Sequence, residues 1–216
     1  TMRILIIFVL VLNSVQSNGQ IANARLGEPM SGLIIESAYH LPLPEGEIES
    51  AQVLDGTKDQ LFRKLSSFEE GLDPNVHEHW IKLDLKNLTS ESKAWVFDFE
   101  NWTKVVAYVP ESGTYTQLKS GHLLPFKKRD YARANKSLIV LKLGAEETKT
   151  VYFNLGSTVN YLQVPTNLRF KVFTQDRFER DEINHRIALG FFSGAYIIML
   201  FYNLFIYFST RDRNYI

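Results

Sequence analysis

The run Trp80-Ile81-Lys82-Leu83-Asp84-Leu85 shows the clearest alternation of apolar and polar side chains in the sequence. Side chains on a β-strand point alternately to its two faces, so Ile81 and the two leucines would share one face. The opposite face would carry Trp80 and Lys82. The pattern therefore predicts a strand that packs one face into a core and turns the other face outward.

Further short apolar segments follow, separated by polar turns such as residues 87–92. They lie at residues 94–100, 104–109, 138–143, 150–155 and 168–173. The polar connection at residues 144–147 predicts a hairpin between two of them. Without a long amphipathic helix between the strands, the series predicts a mainly β fold, an antiparallel sandwich or jelly roll over residues 20–176. Residues 57–68 are less regular and predict either a short helix or a long connection over the sheet.

The N-terminus has the three-part layout of a secretory signal peptide. Arg3 precedes nine apolar residues, 4–12, and the small-residue site Val15-Gln16-Ser17 follows. We predict a signal peptide at residues 1–17, which would export the chain that follows it. The alternative is a buried N-terminal helix or strand.

A second apolar segment, residues 187–208, contains no charged residue. About 22 helical residues at about 1.5 Å each reach across a hydrocarbon core of roughly 30 Å. We predict a transmembrane helix there, after a polar stalk at 177–186 and before the start of a cytoplasmic segment at 209–216. Arginines on the two sides of this helix balance, so the signal peptide sets the orientation. The β domain is expected on the exported side of a bacterial cytoplasmic (inner) membrane.

Three residues of this helix suggest contacts with other helices. Gly190 and Gly194 are one turn apart and form a small-residue patch, whereas Asn203 points to nearly the opposite side. Packing on one face and a polar amide on the other favour a bundle of several spans. In the alternative interpretation the glycines are incidental and Asn203 lies near enough to the interface to be tolerated.

Composition and motifs argue against several functions. The chain has 24 basic and 24 acidic residues, which gives no electrostatic reason to expect nucleic acid as a partner. It has no cysteine, no nucleophile elbow and no phosphate-binding loop, so we expect no catalytic residue, no enzymatic activity and no cofactor.

His77 and His79 have the spacing of two metal ligands. A third ligand from His122 or His40 would be a guess, and no metal site is predicted.

Aromatic residues on the outer side of strands are the candidates for ligand binding, because sugar rings stack on them while polar neighbours bind hydroxyl groups. Trp80 with Lys82 is the best such pair. The other candidates, from adjoining strands and loops, are Trp102, Tyr108, Tyr131 and Arg133. The basic run at residues 127–129 would attract an acidic glycan. In the alternative interpretation Trp80 packs under the irregular residues 45–71, and the basic run is a solvated loop.

The C-terminal part of the sequence carries a family resemblance. It lies in Gly190-Phe191-Phe192-Ser193-Gly194, in residues 200–207 and in Arg211-Asp212-Arg213-Asn214-Tyr215. Together these resemble the first span of the bacterial seven-transmembrane receptors with diverse intracellular signalling modules. The exported part resembles that family's second type of extracellular domain in His79–Leu83, Asn87, Trp95–Phe99, Leu124-Pro125-Phe126 and Glu146-Glu147-Thr148.

The resemblance implies a jelly-roll domain like those of carbohydrate-binding modules, followed by seven helices and a cytoplasmic output domain such as a histidine kinase or a diguanylate cyclase. Six helices and the output would be missing from this sequence. The function expected is the ligand-sensing input region of a membrane receptor, and the alternative is a single-span structural or adhesive surface module. The expected partners are a small extracytoplasmic ligand, with carbohydrate as the favoured class, and the lipid bilayer. A second copy of the chain in a homodimer is kept as an option.

Overall fold

The computed structural model describes residues 23–43, 49–73, 75–100, 102–133, 136–157 and 165–210. The predicted signal peptide at residues 1–17 lies outside these ranges, and so do residues 211–216. The chain divides into two compact units, the first ending at Phe173 and the second beginning at Thr174.

The described residues form nine strands, two α-helices and two short 3-10 helices. The strands are β1 (Leu33–Leu43), β2 (Arg63–Lys64), β3 (Glu78–Asn87), β4 (Lys93–Asp98), β5 (Lys104–Glu111), β6 (Thr114–Ser120), β7 (Leu138–Leu143), β8 (Thr148–Gly156) and β9 (Lys171–Thr174). The helices are α1 (Ser50–Leu54), α2 (Gln175–Thr210) and the 3-10 helices Asp59–Leu61 and Phe126–Lys128.

The strands form a six-stranded sheet in the order β2-β1-β3-β8-β5-β6 and a three-stranded sheet in the order β7-β4-β9. Pairing is antiparallel between β1 and β2, β1 and β3, β3 and β8, β5 and β8, β5 and β6, and β4 and β7. The prediction of a mainly β fold with antiparallel sheets is confirmed. The jelly-roll arrangement stays a prediction.

The predicted hairpin at residues 144–147 is wrong, because β7 pairs with β4 whereas β8 pairs with β3 and β5. The connection crosses from one sheet to the other. It lies beside residues 87–92, which make the same crossing between β3 and β4. The Asn87 amide donates to the Gly144 carbonyl oxygen at 2.5 Å, and the Glu146 N–H donates to the Thr89 carbonyl oxygen at 3.1 Å. These hydrogen bonds hold the two crossings together.

Apolar side chains from both sheets form the main core. In β3 the core-facing residues are Ile81, Leu83 and Leu85, as the alternation predicts, and all three are fully buried. Aromatic rings from the other elements fill the centre, and Phe99 lies 5.0 Å from Phe153 between ring centroids. Since the odd-numbered residues of β3 face this core, Trp80 and Lys82 belong to the outer face of the six-stranded sheet.

The second unit contains the continuous helix α2, which covers both the expected stalk and the expected transmembrane segment. Within the described part of the chain, Gln175–Ser209 is the one helix long and apolar enough to cross a membrane. Its exposed side chains are mostly large and apolar, including Ile198, Phe201 and Phe205. This surface composition is typical of a helix that faces lipid.

Candidate functional site

Four residues on the outer face of the six-stranded sheet form a group that we call the outer-face cluster: Trp80 and Lys82 of β3, Tyr108 of β5 and Tyr152 of β8. Because β8 lies between β3 and β5, Tyr152 is in register with both Lys82 and Tyr108. The rings of Trp80 and Tyr108 stack with centroids 5.3 Å apart and planes at 24°. Three residues selected from the sequence are thus brought together on one face.

The cluster is covered by residues 49–64, which we call the cover segment. This segment runs through α1, a turn at Gly56, the 3-10 helix Asp59–Leu61 and β2. Val53 of α1 is fully buried and packs in one hydrophobic group with Trp80 and Tyr108. Of the two alternatives for residues 57–68, each is found in part: the segment contains the short 3-10 helix Asp59–Leu61 and otherwise connects over the sheet.

Three side-chain contacts attach the cover segment to the cluster. The Tyr108 hydroxyl donates to Ser50 Oγ at 3.2 Å. Lys82 Nζ lies 2.9 Å from Asp59 Oδ2. The Phe62 ring meets the Tyr152 ring edge-on at 6.3 Å between centroids. Each group that a ligand would use on this face is therefore in contact with the cover segment.

Lys82 is the cation of the cluster. Its ammonium group lies 5.4 Å from the centroid of the Tyr152 ring, within the range of a cation–π contact. Burial opposes the charged form, but hydrogen bonds with Asp59 and Tyr152 outweigh burial and raise the pKa of Lys82 above its ordinary value. Burial also raises the pKa of the Tyr152 hydroxyl. Lys82 is consequently charged and Tyr152 neutral at physiological pH.

The premise that Trp80 and Tyr108 are open to solvent is wrong in this structure. Their side chains are 0% and 6% exposed, because the cover segment and neighbouring apolar residues enclose them. The alternative interpretation, in which Trp80 packs under the irregular segment, describes this arrangement. A ligand could reach these rings only after the cover segment has moved.

Trp102 is not on the outer face. It is 2% exposed, lies in the main core and meets the His79 ring edge-on at 5.5 Å between centroids. A fully enclosed core position removes it as a candidate for surface ligand binding. Tyr131 and Arg133 lie in the loop between the 3-10 helix Phe126–Lys128 and β7, and they are not members of the outer-face cluster.

The basic run at residues 127–129 divides into two kinds of residue. Lys127 and Lys128 are exposed. The Arg129 guanidinium instead folds back and donates to the carbonyl oxygens of Leu124 at 2.9 Å and Lys136 at 3.2 Å. Arg129 therefore organises the loop, and the two lysines form its solvated surface.

A buried histidine pair joins β1 to β3. His40 Nε2 lies 3.0 Å from His79 Nδ1, and the two rings stack at 5.2 Å between centroids. An Arg63 N–H, which can only donate, lies 3.3 Å from His40 Nδ1, so the other nitrogen of His40 carries the proton that is donated to His79. His79 Nε2–H in turn donates to the Val76 carbonyl oxygen at 3.0 Å. Every ring nitrogen is thus bonded with both imidazoles neutral.

Burial, the adjoining His79 imidazole and the positive charge of Arg63 disfavour protonation and lower the pKa of His40 from 6.5 to about 3. Burial likewise lowers the pKa of His79. Within the described residues no group of three or more His, Cys, Asp or Glu side chains could hold a metal ion. In the sequence His40 and His79 stand out only as potential metal ligands, because sequence spacing does not show the cross-strand register that brings them into a direct hydrogen bond.

The helix residues Gly190, Gly194 and Asn203 all lie in α2. A Cβ added at either glycine would meet nothing within 4 Å among the described residues, and Asn203 is exposed. Their role in packing against other helices stays a prediction.

An antiparallel β domain with a covered aromatic face, followed by one helix of membrane-spanning length, defines a membrane-attached β-sheet module. A family model described as 7TMR-DISM extracellular 2 matches residues 36–169, more than half of the chain, and the chain belongs to this family. No curated protein matches the chain. The predicted family is confirmed, and the protein is an extracellular sensory module of a membrane receptor.

Proposed function

We propose that this module binds a carbohydrate on the outer face of its six-stranded sheet and passes the binding event through α2 to a cytoplasmic output domain. The β domain would lie on the exported side of a bacterial inner membrane, and this input region would not be an enzyme. The observation that carries the proposal is the outer-face cluster. It joins two stacked aromatic rings, a lysine and a second tyrosine on one face of a family sensor domain.

The chemistry of the cluster suits a sugar ring. Flat aromatic rings provide apolar surface for the C–H face of a sugar, and adjacent polar groups bind its hydroxyls. Lys82 and the Tyr108 hydroxyl are such groups. In the covered state Asp59 and Ser50 occupy them. A ligand would replace these two contacts with its own hydroxyl groups.

Signalling requires that the ligand bind two arrangements of the protein with different affinities. The covered face supplies one arrangement, and a face freed of the cover segment supplies the other. A sugar that binds the freed face would shift the population toward it. This coupling is the basis on which a sensory role for the cluster is proposed.

The test is calorimetric titration of the full chain in lipid nanodiscs with cellotriose, maltotriose and chitotriose. Lys82→Met should weaken binding by about tenfold or more, since hydrogen bonds to charged groups contribute roughly 1.5–3 kcal/mol. Lys86→Met is the matched control, because Lys86 lies on the same face of β3 but pairs with Glu36 at 3.6 Å, away from the cluster. If none of the three sugars gives a binding signal, a carbohydrate ligand is contradicted. Equal losses in the two variants would contradict the location.

A further inference from the structure

Two polar atoms on the outer face are buried without a hydrogen-bond partner among the described residues: Trp80 Nε1 and Asn154 Oδ1. Trp80 and Asn154 are direct cross-strand neighbours on β3 and β8, and their side chains are 0% and 2% exposed. Leaving such groups unpaired costs free energy that a purely structural role would not explain. One atom is a donor and the other an acceptor.

The orientation of the Asn154 amide is fixed by its other end. Asn154 Nδ2 donates to Glu78 Oε1 at 2.5 Å, so the amide oxygen is the atom left unpaired. The indole N–H of Trp80 can only donate. The pair therefore offers a ligand one hydrogen-bond donor and one hydrogen-bond acceptor beside the stacked rings of Trp80 and Tyr108.

We propose that Trp80 Nε1 and Asn154 Oδ1 form the polar recognition point for an uncharged, hydroxyl-bearing ring, which reaches them when the cover segment moves off the sheet. A hydroxyl group can accept from the indole N–H and can donate to the amide oxygen, so a hydroxyl-bearing ring offers the partner that each of the two atoms lacks. This inference rests on the proposed function and identifies the two atoms through which the same site would recognise its ligand.

The charges around the pair favour a neutral ligand. The Glu78 carboxylate accepts a hydrogen bond directly from the Asn154 amide. An anionic group at the recognition point would lie beside the Glu78 carboxylate, and like charges at short range repel strongly where water is excluded. A hydroxyl group has no such penalty.

Residues 49–62 of the cover segment, which precede its strand β2, contribute few fully buried side chains. In α1 only Val53 is buried, and in the 3-10 helix Asp59–Leu61 no residue is buried. Its two helical parts are joined by Gly56, which has a positive φ of 81°. Segments with few buried apolar contacts open locally at a small fraction of the free energy of global unfolding. Opening would expose the cluster without disturbing the main core.

The deciding experiment titrates the full chain in nanodiscs with the three neutral trisaccharides and compares tryptophan variants. Trp80→Phe keeps an aromatic ring but removes the N–H, and we expect binding about tenfold weaker or worse, as for loss of a buried hydrogen bond. Trp95→Phe is the matched control, because Trp95 lies in the main core and its Nε1 is 3.4 Å from the Ser31 carbonyl oxygen. Asn154→Leu is the second variant and should show the same loss.

Movement of the cover segment is tested with the double variant Ser50→Ala/Asp59→Asn, which removes the Ser50–Tyr108 hydrogen bond and the Asp59–Lys82 ion pair. A larger population of the open form should tighten trisaccharide binding several-fold and speed amide hydrogen exchange in residues 50–62. Glu36→Gln, which breaks an exposed ion pair elsewhere on the sheet, should change neither.

The outcomes separate the two proposals. If a trisaccharide binds the wild type and both Trp80→Phe and Asn154→Leu bind it equally well, the recognition point is overturned while the carbohydrate function stands. If the double variant neither binds more tightly nor exchanges faster, the movement of the cover segment is overturned. If no trisaccharide binds the wild type or the double variant, the proposed function itself fails.

Discussion

Mild acid is expected to weaken the β domain through His40. This imidazole is buried, accepts a hydrogen bond from Arg63 and donates one to His79, and its pKa is lowered from 6.5 to about 3. Between these two values the unfolded chain binds a proton at this residue and the folded chain does not. The free energy of unfolding therefore falls as pH falls through this range.

The magnitude follows from the size of the pKa change. Each pH unit within the range contributes about 1.4 kcal/mol, so lowering the pH from about 6.5 to about 5 removes about 2 kcal/mol through His40. His79, whose pKa burial also lowers, adds an effect of the same sign. Carboxylates with a lowered pKa, such as Glu70, reduce the free energy of unfolding only when the pH falls below about their ordinary pKa, which is 4.5 for Glu70. The range above about pH 5 thus isolates the histidines.

Urea unfolding of the full chain in nanodiscs, followed by tryptophan fluorescence, measures this dependence. The chain has three tryptophans, Trp80, Trp95 and Trp102, and all are buried in the first unit, so the signal reports the β domain. In the His40→Gln variant the free energy of unfolding should depend less steeply on pH than in the wild type. This holds whether the variant is more or less stable than the wild type. His122→Gln is the control, since His122 lies in the loop beside Glu100. A wild-type slope near zero, or an unchanged slope in His40→Gln, would refute the reasoning.

Four substitutions should change the free energy of unfolding in the same urea assay. Trp80→Ala should lower it by about 3–5 kcal/mol, because it empties a fully buried position, and a loss below about 1 kcal/mol would mean that the cover segment is open in solution. Asn87→Ala should cost about 2–4 kcal/mol, since its buried amide hydrogen-bonds to both crossings between the sheets, and a neutral effect would show that they hold without it. Gly121→Ala should be more damaging than Gly113→Ala. Both glycines have positive φ, but only at Gly121 would the new Cβ clash with the Thr103 carbonyl oxygen, and equal losses would contradict this difference.

In strand β3 the alternation of apolar and polar residues was enough to predict the local structure. Its periodicity predicts both the strand and the division between a core face and an outer face, because burial acts on every second side chain. The same reasoning selects Trp80 and Lys82 as neighbours on the outer face, and the structure places Tyr108 and Tyr152 beside them. Local pattern was sufficient here because β3 is a regular inner strand.

Strand β1 was missed for a physical reason. A bulge between Ile35 and Ser37 shifts the register, so that Ile35 and Ala38 both face the core although they are three residues apart. A search for period two fails across such a shift. Strand β6, at the edge of the sheet, is mostly exposed and carries too few apolar residues to give a pattern.

The burial of Trp80 could not be read from its own strand. It depends on Val53, which belongs to an irregular segment far away in sequence and gives no periodic signal.

The wrong prediction of a hairpin at residues 144–147 has a related cause. A polar connection of four residues is short enough for a hairpin and long enough to cross to the facing sheet, so length alone does not decide between them.

Helix α2 contains 36 residues without a break, which at about 1.5 Å each corresponds to a rod of about 54 Å. Its interior holds no proline, and its two glycines do not interrupt it. A stiff rod transmits axial displacement and twist from its first turn to its last with little loss, whereas a kinked or jointed one dissipates them. Inserting several glycines near Arg186 should therefore let the two ends of α2 move independently without altering the fold of either end.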